Sequence, residues 1–255
     1  MAQNSPDARP ALPYTRLAEI YDHIMGHVDY RRWARYIRNL LKKEGCWPPD
    51  SLLDVGCGTG RFLQEFGKNG PLGDGCDPSR AMLDIAQKRL PASKLTRDAF
   101  PDLSRQSGRE YPLITCLYDT MNYVPEQIEV IRSLNRTFEL LAPGGLFIFD
   151  VVSRTHCQKY FQHFSDSEVI SKELAYERES YFDHRTDLQH NWIRIFTREG
   201  IFEESHQQRI YPLRWLREAI TGYTELQIRG IFEEFSMEPA NRSSGRVHFV
   251  LKKPH

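Results

Sequence analysis

The stretch Leu52-Leu53-Asp54-Val55-Gly56-Cys57-Gly58-Thr59-Gly60-Arg61-Phe62-Leu63 decides the fold of this chain. A short apolar run ends in an acid, a turn follows with glycine at every second position, and an amphipathic segment comes next. This order predicts a strand, a tight turn and a helix, which together open a nucleotide-binding α/β unit. Glycine suits such a turn because a backbone without Cβ adopts left-handed dihedrals and lets a ligand approach the unpaired N–H groups at the start of the helix.

The spacing of the glycines distinguishes two kinds of nucleotide site. A dinucleotide fingerprint has the pattern G-x-G-x-x-G, whereas these glycines stand at Gly56, Gly58 and Gly60, one residue too short, and the bulky Arg61 follows. The strand also ends in Asp54, whose carboxylate repels a pyrophosphate and suits a ligand that carries an ammonium group. The alternative interpretation is an ordinary glycine-rich turn of an α/β protein.

Further polar residues follow the next predicted strands. Asp77 ends the second strand, where its carboxylate can accept hydrogen bonds from both hydroxyls of a ribose, as in NAD enzymes. Asp98 follows the third strand, and its alternative role is that of a turn residue. The fourth strand, residues 113–117, leads to Asp119 and Asn122, which lie where ligands bind in open parallel sheets, although both could simply cap the next helix.

The second half of the chain changes character after an apolar fifth strand over residues 146–152. Polar alternating stretches follow, which predict an antiparallel sheet with one solvent-exposed face, laid over the ligand end of the main sheet. These stretches are about 168–182, 187–197 and 201–211. A helix over 212–222 and two strands, about 224–233 and 246–253, are predicted to close the chain.

Composition narrows the class of protein. The 34 basic and 34 acidic residues cancel, so no electrostatic footprint for nucleic acid or an anionic membrane is present and a small-molecule substrate is favoured. The first residues lack the apolar core of a signal peptide, and no run of 18 apolar residues occurs. The five scattered cysteines predict free thiols in a reducing cytoplasm and no metal site. Whether the protein is a monomer or a homodimer does not follow from the sequence.

Several segments of the chain together carry a family resemblance. They are Tyr14-x-x-x-Ala18-x-x-Tyr21-Asp22, Asp54 to Gly60, Asp77-Pro78-Ser79, Arg97-Asp98, Asp119 to Tyr123, Leu141 to Gly145, and Ser205 to Arg209. From about Tyr14 to Lys253 the chain resembles the class I S-adenosyl-L-methionine (SAM) methyltransferases. It is similar to the small bacterial methyltransferases of the YqeM-like group and, more distantly, to the sugar N-methyltransferases of antibiotic pathways.

The resemblance implies the α/β architecture and its division into parts. The expected fold is the Rossmann-like class I methyltransferase fold, a mostly parallel seven-stranded sheet with helices on both faces. Residues 13–152 and 212–255 would form this SAM-binding domain, and residues 153–211 would form a small antiparallel β cover inserted after the fifth strand. The Pro-rich residues 1–12 are expected to be a flexible tail.

The resemblance also implies a role for each position of the cofactor site. Four residues would hold the methionine end of SAM, namely Asp54, Gly56, Gly58 and Gly60, and Asp77 would bind the ribose. The adenine would contact Asp98, Ala99 and Met82. Leu117 and Tyr118 would form the floor of the pocket, and Tyr14, Tyr21 and Trp33 would form a lid over it. Aromatic rings beside a sulfonium make physical sense because a ring face attracts a cation by roughly 0.5–2 kcal/mol. The alternative for the three lid residues is packing of an aromatic helix face on the core.

Methyl transfer from a sulfonium is an in-line displacement in which the main task of the protein is orientation. A base is needed only if the acceptor is protonated when it binds. His206 is the best candidate for base or substrate contact, and its alternative is a hydrogen-bonded strand residue. Arg209 would bind an acidic substrate or a carboxylate of the protein, and Asn122 and His190 would contact the substrate.

The resulting hypothesis is a SAM-dependent methyltransferase that acts on an O or N atom of a small molecule. A methyltransferase acting on RNA or protein is the first alternative, and the neutral charge argues against RNA. A nucleotide-binding oxidoreductase, or a SAM-binding protein without activity, is the second. The short glycine spacing argues against the oxidoreductase.

Overall fold

The computed structural model describes residues 7–255, which form twelve strands and seven α-helices. The strands are β1 (Ala8–Ala11), β2 (Leu53–Val55), β3 (Asp74–Asp77), β4 (Leu95–Arg97), β5 (Tyr111–Cys116), β6 (Leu141–Val152), β7 (Phe164–Ser171), β8 (Leu174–Asp183), β9 (Leu188–Thr197), β10 (Gly200–Arg209), β11 (Gln227–Glu233) and β12 (Arg246–Lys252). The helices are α1 (Ala18–Ile24), α2 (Tyr30–Lys43), α3 (Arg61–Gly67), α4 (Arg80–Arg89), α5 (Gln127–Leu140), α6 (Arg154–Tyr160) and α7 (Leu213–Tyr223).

A seven-stranded sheet in the order β11-β12-β6-β5-β2-β3-β4 forms the centre of the molecule. Strands β2 to β6 pair in parallel, and β12 runs antiparallel to its neighbours β6 and β11. The chain crosses from β4 back to β5 on the other side of β2, so the carboxyl ends of β2 and β5 flank a reversal of strand order where ligands bind. The predicted fold class is confirmed.

The helices lie on both faces of this sheet, as the side-chain alternation of β6 shows. Phe147 and Phe149 pack in one core cluster with side chains of α5 and α7, whereas Leu146 and Ile148 pack in another with side chains of α2 and α3. The first isoleucine of α5, Ile128, does not contribute to this packing, because it is 63% exposed. The helix packs instead through Val130, Ser133, Leu134 and Thr137.

A second, five-stranded sheet has the order β1-β10-β9-β8-β7 and is called the cover sheet here. Its last four strands are antiparallel, as expected, but the stretch predicted over 168–182 is a hairpin of two strands, β7 and β8. The turn between them lacks glycine and proline, and the Ser171 hydroxyl accepts a hydrogen bond from the Glu173 N–H at 3.2 Å instead. A serine turn of this kind is a weak sequence signal, which explains why the sequence did not reveal it.

The N-terminal segment departs from the flexible tail predicted for residues 1–12. Residues 1–6 lie outside the described part of the chain, but Ala8–Ala11 form β1 and pair in parallel with β10. The pairing uses main-chain groups along the free edge of β10, so the side-chain composition of the segment does not report it. The division into domains at residues 153 and 212 stays a prediction. Between residues 7 and 255, no helix has both the length and the apolar character needed to cross a membrane.

Candidate functional site

A cleft of about 1610 Å³ lies between the main sheet and the cover sheet. It is lined by the glycine loop after β2, the segments that follow β3, β4 and β5, the chain over residues 12–17, and the inner face of the cover sheet. A recess of about 50 Å³ shares Tyr21, Trp33, Gly56 and Tyr118 with this cleft. The topology therefore places most of the predicted site residues around one cavity.

Each of the three glycines of the loop is suited to its position for a different structural reason. All of them have positive φ, between 53° and 78°. A Cβ on Gly56 would collide with the Thr120 side chain, and one on Gly60 would lie 2.8 Å from a methyl carbon of Leu90, which follows α4. A Cβ on Gly58 would meet no atom within 4 Å, because this residue faces open space. Gly58 is therefore the position at which a ligand can lie against the backbone.

Asp54 is buried at the end of β2 and also lines the recess. Its Oδ1 accepts a hydrogen bond from the Thr115 hydroxyl at 2.7 Å. Burial raises the pKa of Asp54 to about 7, because the charged carboxylate has lost its hydration, and the neighbouring Asp77 raises it further. Five aromatic residues share the recess with it, namely Tyr21, Tyr30, Trp33, Phe62 and Tyr118. An acid with a raised pKa among ring faces is a site that a ligand cation would complete.

Asp77 ends β3 beside the loop and is also buried. Its Oδ2 accepts from the Gly58 N–H at 3.0 Å, and its Oδ1 accepts from the Ser79 N–H at 2.8 Å. Burial raises the pKa of Asp77 to about 6. A carboxylate has about four acceptor positions, so this side chain retains capacity for two further donors from a ligand in the cleft.

Of the three residues expected around an adenine, two line the cleft and the third binds its own loop. Met82 is buried at the start of α4 and lines the cleft with Ala99. The Asp98 carboxylate, by contrast, accepts from the backbone N–H groups of Ala99 at 3.1 Å and Arg105 at 2.7 Å. Asp98 thus orders its own loop, which corresponds to the alternative interpretation of this acid, and the Ala99 N–H is already engaged.

The three aromatic residues expected to form a lid, Tyr14, Tyr21 and Trp33, lie on different segments of the chain. Trp33 is buried on α2, with its ring centroid 5.8 Å from that of Tyr118. Tyr14 precedes α1, and its ring lies edge-on to Tyr21 at 5.9 Å. The carbonyl of Tyr14 accepts a hydrogen bond at 2.6 Å from the hydroxyl of Ser79, which follows β3. Residues 12–17, called the strap here, therefore join the cover sheet to the nucleotide-binding end of the main sheet.

Helix α1 is attached to the glycine loop through Asp22, a residue to which the sequence assigned no role. Asp22 accepts from the Thr59 hydroxyl at 2.7 Å and pairs with Arg89 of α4 at 2.5 Å. Arg89 also donates to the Thr59 carbonyl. Asp22 thus attaches α1 to the glycine loop, and this attachment keeps the neighbouring Tyr21 ring at the recess.

The floor of the cleft is formed by Leu117 and Tyr118, at the end of β5, over a buried charge cluster. Arg246 donates to Asp119 at 2.9 Å and to Asp150. Asp150 also accepts from the N–H groups of Tyr118 at 2.6 Å and Asp119 at 3.0 Å, and both residues have positive φ. The sequence did not reveal this cluster because Arg246 is contributed by the last strand.

His206 is buried on β10 and faces the cleft. Its Nε2 lies 3.1 Å from an oxygen of Glu204, and its Nδ1 lies 3.4 Å from the hydroxyl of Tyr123. The Tyr123 hydroxyl is in turn 2.5 Å from that of Tyr14, whose ring centroid is 4.7 Å from the imidazole. A carboxylate, an imidazole and two phenols therefore form one continuous hydrogen-bonded chain.

Charge in this chain of groups resides on Glu204. Burial alone would raise the pKa of its carboxyl group, but the hydrogen bond from His206 and those from the Leu17 and Arg16 N–H groups outweigh that effect and lower it. Burial raises the pKa values of Tyr14 and Tyr123 well above the ordinary range. The two phenols are therefore neutral near pH 7, and Glu204 is ionised.

Arg209 and Asn122 do not lie where the sequence analysis expected them. The Arg209 guanidinium donates to the carbonyls of Pro125 at 2.9 Å and Thr186 at 3.1 Å. The buried Asn122 amide donates to the Arg209 carbonyl at 2.8 Å and accepts from the Val152 N–H at 3.1 Å. Both side chains satisfy backbone groups between the two sheets, and neither lines the cleft in the described part of the chain.

His190 also differs from its expected place. It lies opposite Gln207 on β10, whereas His206 lies opposite Asn191. Because successive side chains of a strand point to opposite faces, His190 is on the outer face of the cover sheet, where it stacks on Trp192 at 5.5 Å. The inner face presents Gln189, Asn191 and Gln208 to the cleft instead. Once the pairing of β9 with β10 is known, the odd or even position of a residue along its strand decides which face of the cover sheet its side chain lies on.

Comparison with known proteins shows that the chain is similar to methyltransferases. The family model described as a methyltransferase domain matches residues 21–208. A candidate methyltransferase of Geobacillus sp. (strain WCH70) is 32% identical over 95% of this chain and 100% of its own length. A dTDP-3-amino-3,6-dideoxy-alpha-D-glucopyranose N,N-dimethyltransferase of Streptomyces fradiae is 31% identical over 59% of each chain.

Solved structures share the fold over nearly the whole chain. A SAM-dependent methyltransferase from Clostridium acetobutylicum superposes with a TM-score of 0.80 at 24% identity, covering 94% of this chain and 98% of that one. The sugar N-methyltransferase KedS8 from Streptoalloteichus sp. superposes with a TM-score of 0.78 at 19% identity, covering 100% and 99%.

Proposed function

The chain belongs to the methyltransferase domain family and is a SAM-dependent methyltransferase, and we propose that it methylates an N or O atom of a small-molecule acceptor held under the cover sheet. The observation that carries this proposal is the hydrogen-bonded chain through His206, because it faces the same cleft as the glycine loop and contains an imidazole suited to accept a proton. The relatives from Streptomyces and Streptoalloteichus, which carry names of sugar N-methyltransferases, support an acceptor of this class.

The residues of the recess and loop fit SAM. Asp54 is a carboxyl group buried beside the recess, and the ammonium group of SAM would favour its ionised form. Gly58 offers open space at the loop, and Asp77 retains acceptor positions for ribose hydroxyls. Tyr21, Tyr30 and Trp33 would contact the positive end of the ligand. When bound, SAM supplies an electrophilic methyl group on a sulfonium.

The contribution of the protein is orientation and proton management. The inner face of the cover sheet and the strap would enclose the acceptor and exclude water. The enclosure would hold the nucleophilic atom in line with the methyl carbon. Such orientation lowers the barrier of reactions of this kind by on the order of 7–11 kcal/mol at most. The proton lost by the acceptor amine or hydroxyl would pass through the Tyr123 hydroxyl to Nδ1 of His206. The negative Glu204 carboxylate would stabilise the resulting imidazolium.

The test is an acceptor screen that reads the release of S-adenosyl-L-homocysteine. We expect turnover with small molecules that carry an amine or a hydroxyl, such as amino-sugar nucleotides or phenols, and none with RNA or protein extracts. His206→Asn should lower kcat about 10²–10⁴-fold, the usual contribution of a general base, while SAM binding is retained. His190→Asn is the matched control, because this histidine lies on the outer face of the same sheet.

One result would overturn the proposed class of acceptor, and a second would overturn the proposed role of His206. Methylation confined to RNA or to protein would show that the cleft serves a different class of acceptor. Equal turnover by the parent protein and His206→Asn would show that the imidazole is a structural strand residue.

A further inference from the structure

Glu204 connects two parts of the molecule that the proposed function treats separately. Its carboxylate accepts four backbone hydrogen bonds from the strap, from the N–H groups of Tyr14 at 2.6 Å, Thr15 at 3.1 Å, Arg16 at 2.6 Å and Leu17 at 2.8 Å. The same carboxylate lies 3.1 Å from Nε2 of His206. The side chain is fully buried, so all of these contacts are made away from water.

The contacts of Glu204 determine which nitrogen of His206 carries the proton. Three of these N–H groups donate to Oε1 and one donates to Oε2, and donors on both oxygens favour the ionised carboxylate. An ionised carboxylate accepts from Nε2, which places the proton of the neutral imidazole on Nε2 and leaves the lone pair on Nδ1. Nδ1 is the nitrogen that lies next to the Tyr123 hydroxyl.

The strap held by Glu204 is also a wall of the cleft. Leu12, Tyr14, Thr15 and Leu17 line the cavity, and the Tyr14 carbonyl is held by Ser79 beside the predicted ribose acceptor. When the strap leaves this position, the carboxylate loses four donors at once and becomes a poorly solvated anion beside His206. One side chain therefore serves both the enclosure of the cleft and the orientation of the imidazole.

We propose that Glu204 is a positioning residue that couples closure of the strap to the proton-accepting tautomer of His206. The part of this inference that concerns catalysis rests on the proposed function, whereas the coupling itself is a property of the protein without acceptor. Glu204 acts through His206 and through the strap backbone. It is not assigned any contact with the substrate.

The experiment compares three variants without any acceptor, by ¹⁵N NMR of the histidine rings and by hydrogen exchange at the strap amides. In the parent protein we expect His206 in the Nε2–H tautomer and protected amides at residues 14–17. Glu204→Gln replaces one acceptor oxygen by an NH₂ donor, so we expect at least a tenfold loss of protection and a mixed tautomer. His206→Asn keeps the carboxylate and should keep the protection.

Glu203→Gln is the matched control, because Glu203 lies on the same strand with its side chain on the other face and pairs with Arg194. It should leave the tautomer and the protection unchanged. Retained protection and an Nε2–H ring in Glu204→Gln would overturn the proposal. If that variant does not fold, an Nδ1–H tautomer of His206 in the parent protein would overturn it equally. A failure of the base role would instead appear as undiminished turnover in His206→Asn, with these readouts unaffected.

Discussion

The raised pKa of Asp54 makes cofactor binding depend on pH. In the ligand-free protein the carboxyl group has a pKa of about 7 because burial disfavours its charged form. A ligand ammonium placed beside it binds the ionised form, so the protonated fraction must lose its proton before binding. The affinity for a ligand with this ammonium should therefore fall as the pH falls through about 7.

The size of the effect follows from the ionised fraction. Lowering the pH from 8 to 5.5 reduces the ionised fraction of a group with a pKa of about 7 by about 30-fold, which corresponds to about 2 kcal/mol. Asp77, with a pKa of about 6, should add a further factor of about 4 over the same range. In Asp54→Asn the first factor disappears, so the affinity should be lower at pH 8 and change only about fourfold.

Calorimetric titration with S-adenosyl-L-homocysteine measures this dependence, since the product keeps the ammonium group and transfers nothing. An affinity of the parent protein that is independent of pH would refute the reasoning. So would an Asp54→Asn variant that retains the full 30-fold change. The same shift has a second consequence with the opposite sign. The unfolded chain releases this proton near pH 4, so the stability of the ligand-free protein should decrease as the pH rises from about 4 to about 7.

Three further predictions concern stability and are measured by thermal and urea unfolding. Gly60→Ala, whose new Cβ would meet Leu90 at 2.8 Å with φ at 78°, should cost the left-handed strain and the clash together, about 2–5 kcal/mol, whereas Gly58→Ala, in open space, should cost only the left-handed strain of about 1–2 kcal/mol and should reduce SAM affinity instead; equal losses of stability would contradict the packing argument. Arg246→Met leaves the buried Asp150 and the part-buried Asp119 without their cation and should cost about 3–5 kcal/mol, while the exposed Arg214→Ala should not change Tm, and a similar small change in both would show that the Arg246 ion pairs add nothing. Phe249→Ala removes a fully buried ring stacked between the sheet and its helices and should cost about 3–5 kcal/mol; a loss below 1 kcal/mol would mean that the core closes around the deletion.

Features that depend on neighbours along the chain were predictable from the sequence. The glycine loop and the acids at the ends of β2 and β3 are local signals, since each is recognised from the residues directly beside it in the sequence. The same holds for the apolar run of β6, which reads as a strand buried on both faces. These features were sufficient to predict the fold class and the cleft end of the main sheet, and the family resemblance that they carry supplied the cofactor.

Features that depend on register required the tertiary structure. His190 and His206 stand on neighbouring strands of the cover sheet, and only the pairing of β9 with β10 decides that one faces the cleft and the other faces outward. A shift of one residue would exchange them, and polar residues on both faces leave no hydrophobic pattern to reveal the correct register. The strand β1 escaped prediction for a related reason, because its pairing uses main-chain groups only.

The contacts that decide the chemistry of the site join residues far apart in the chain. Asp98, Asn122 and Arg209 are polar residues at positions typical of ligand contacts, and the fold satisfies each of them with backbone groups. Glu204 is an ordinary acid in the sequence, yet the fold places four strap N–H groups and an imidazole around it. The sequence by itself therefore determined the fold class and, through the family resemblance that its motifs carry, the expected cofactor. The tertiary structure alone decided which side chains face the acceptor, because burial and long-range pairing set their charge and direction.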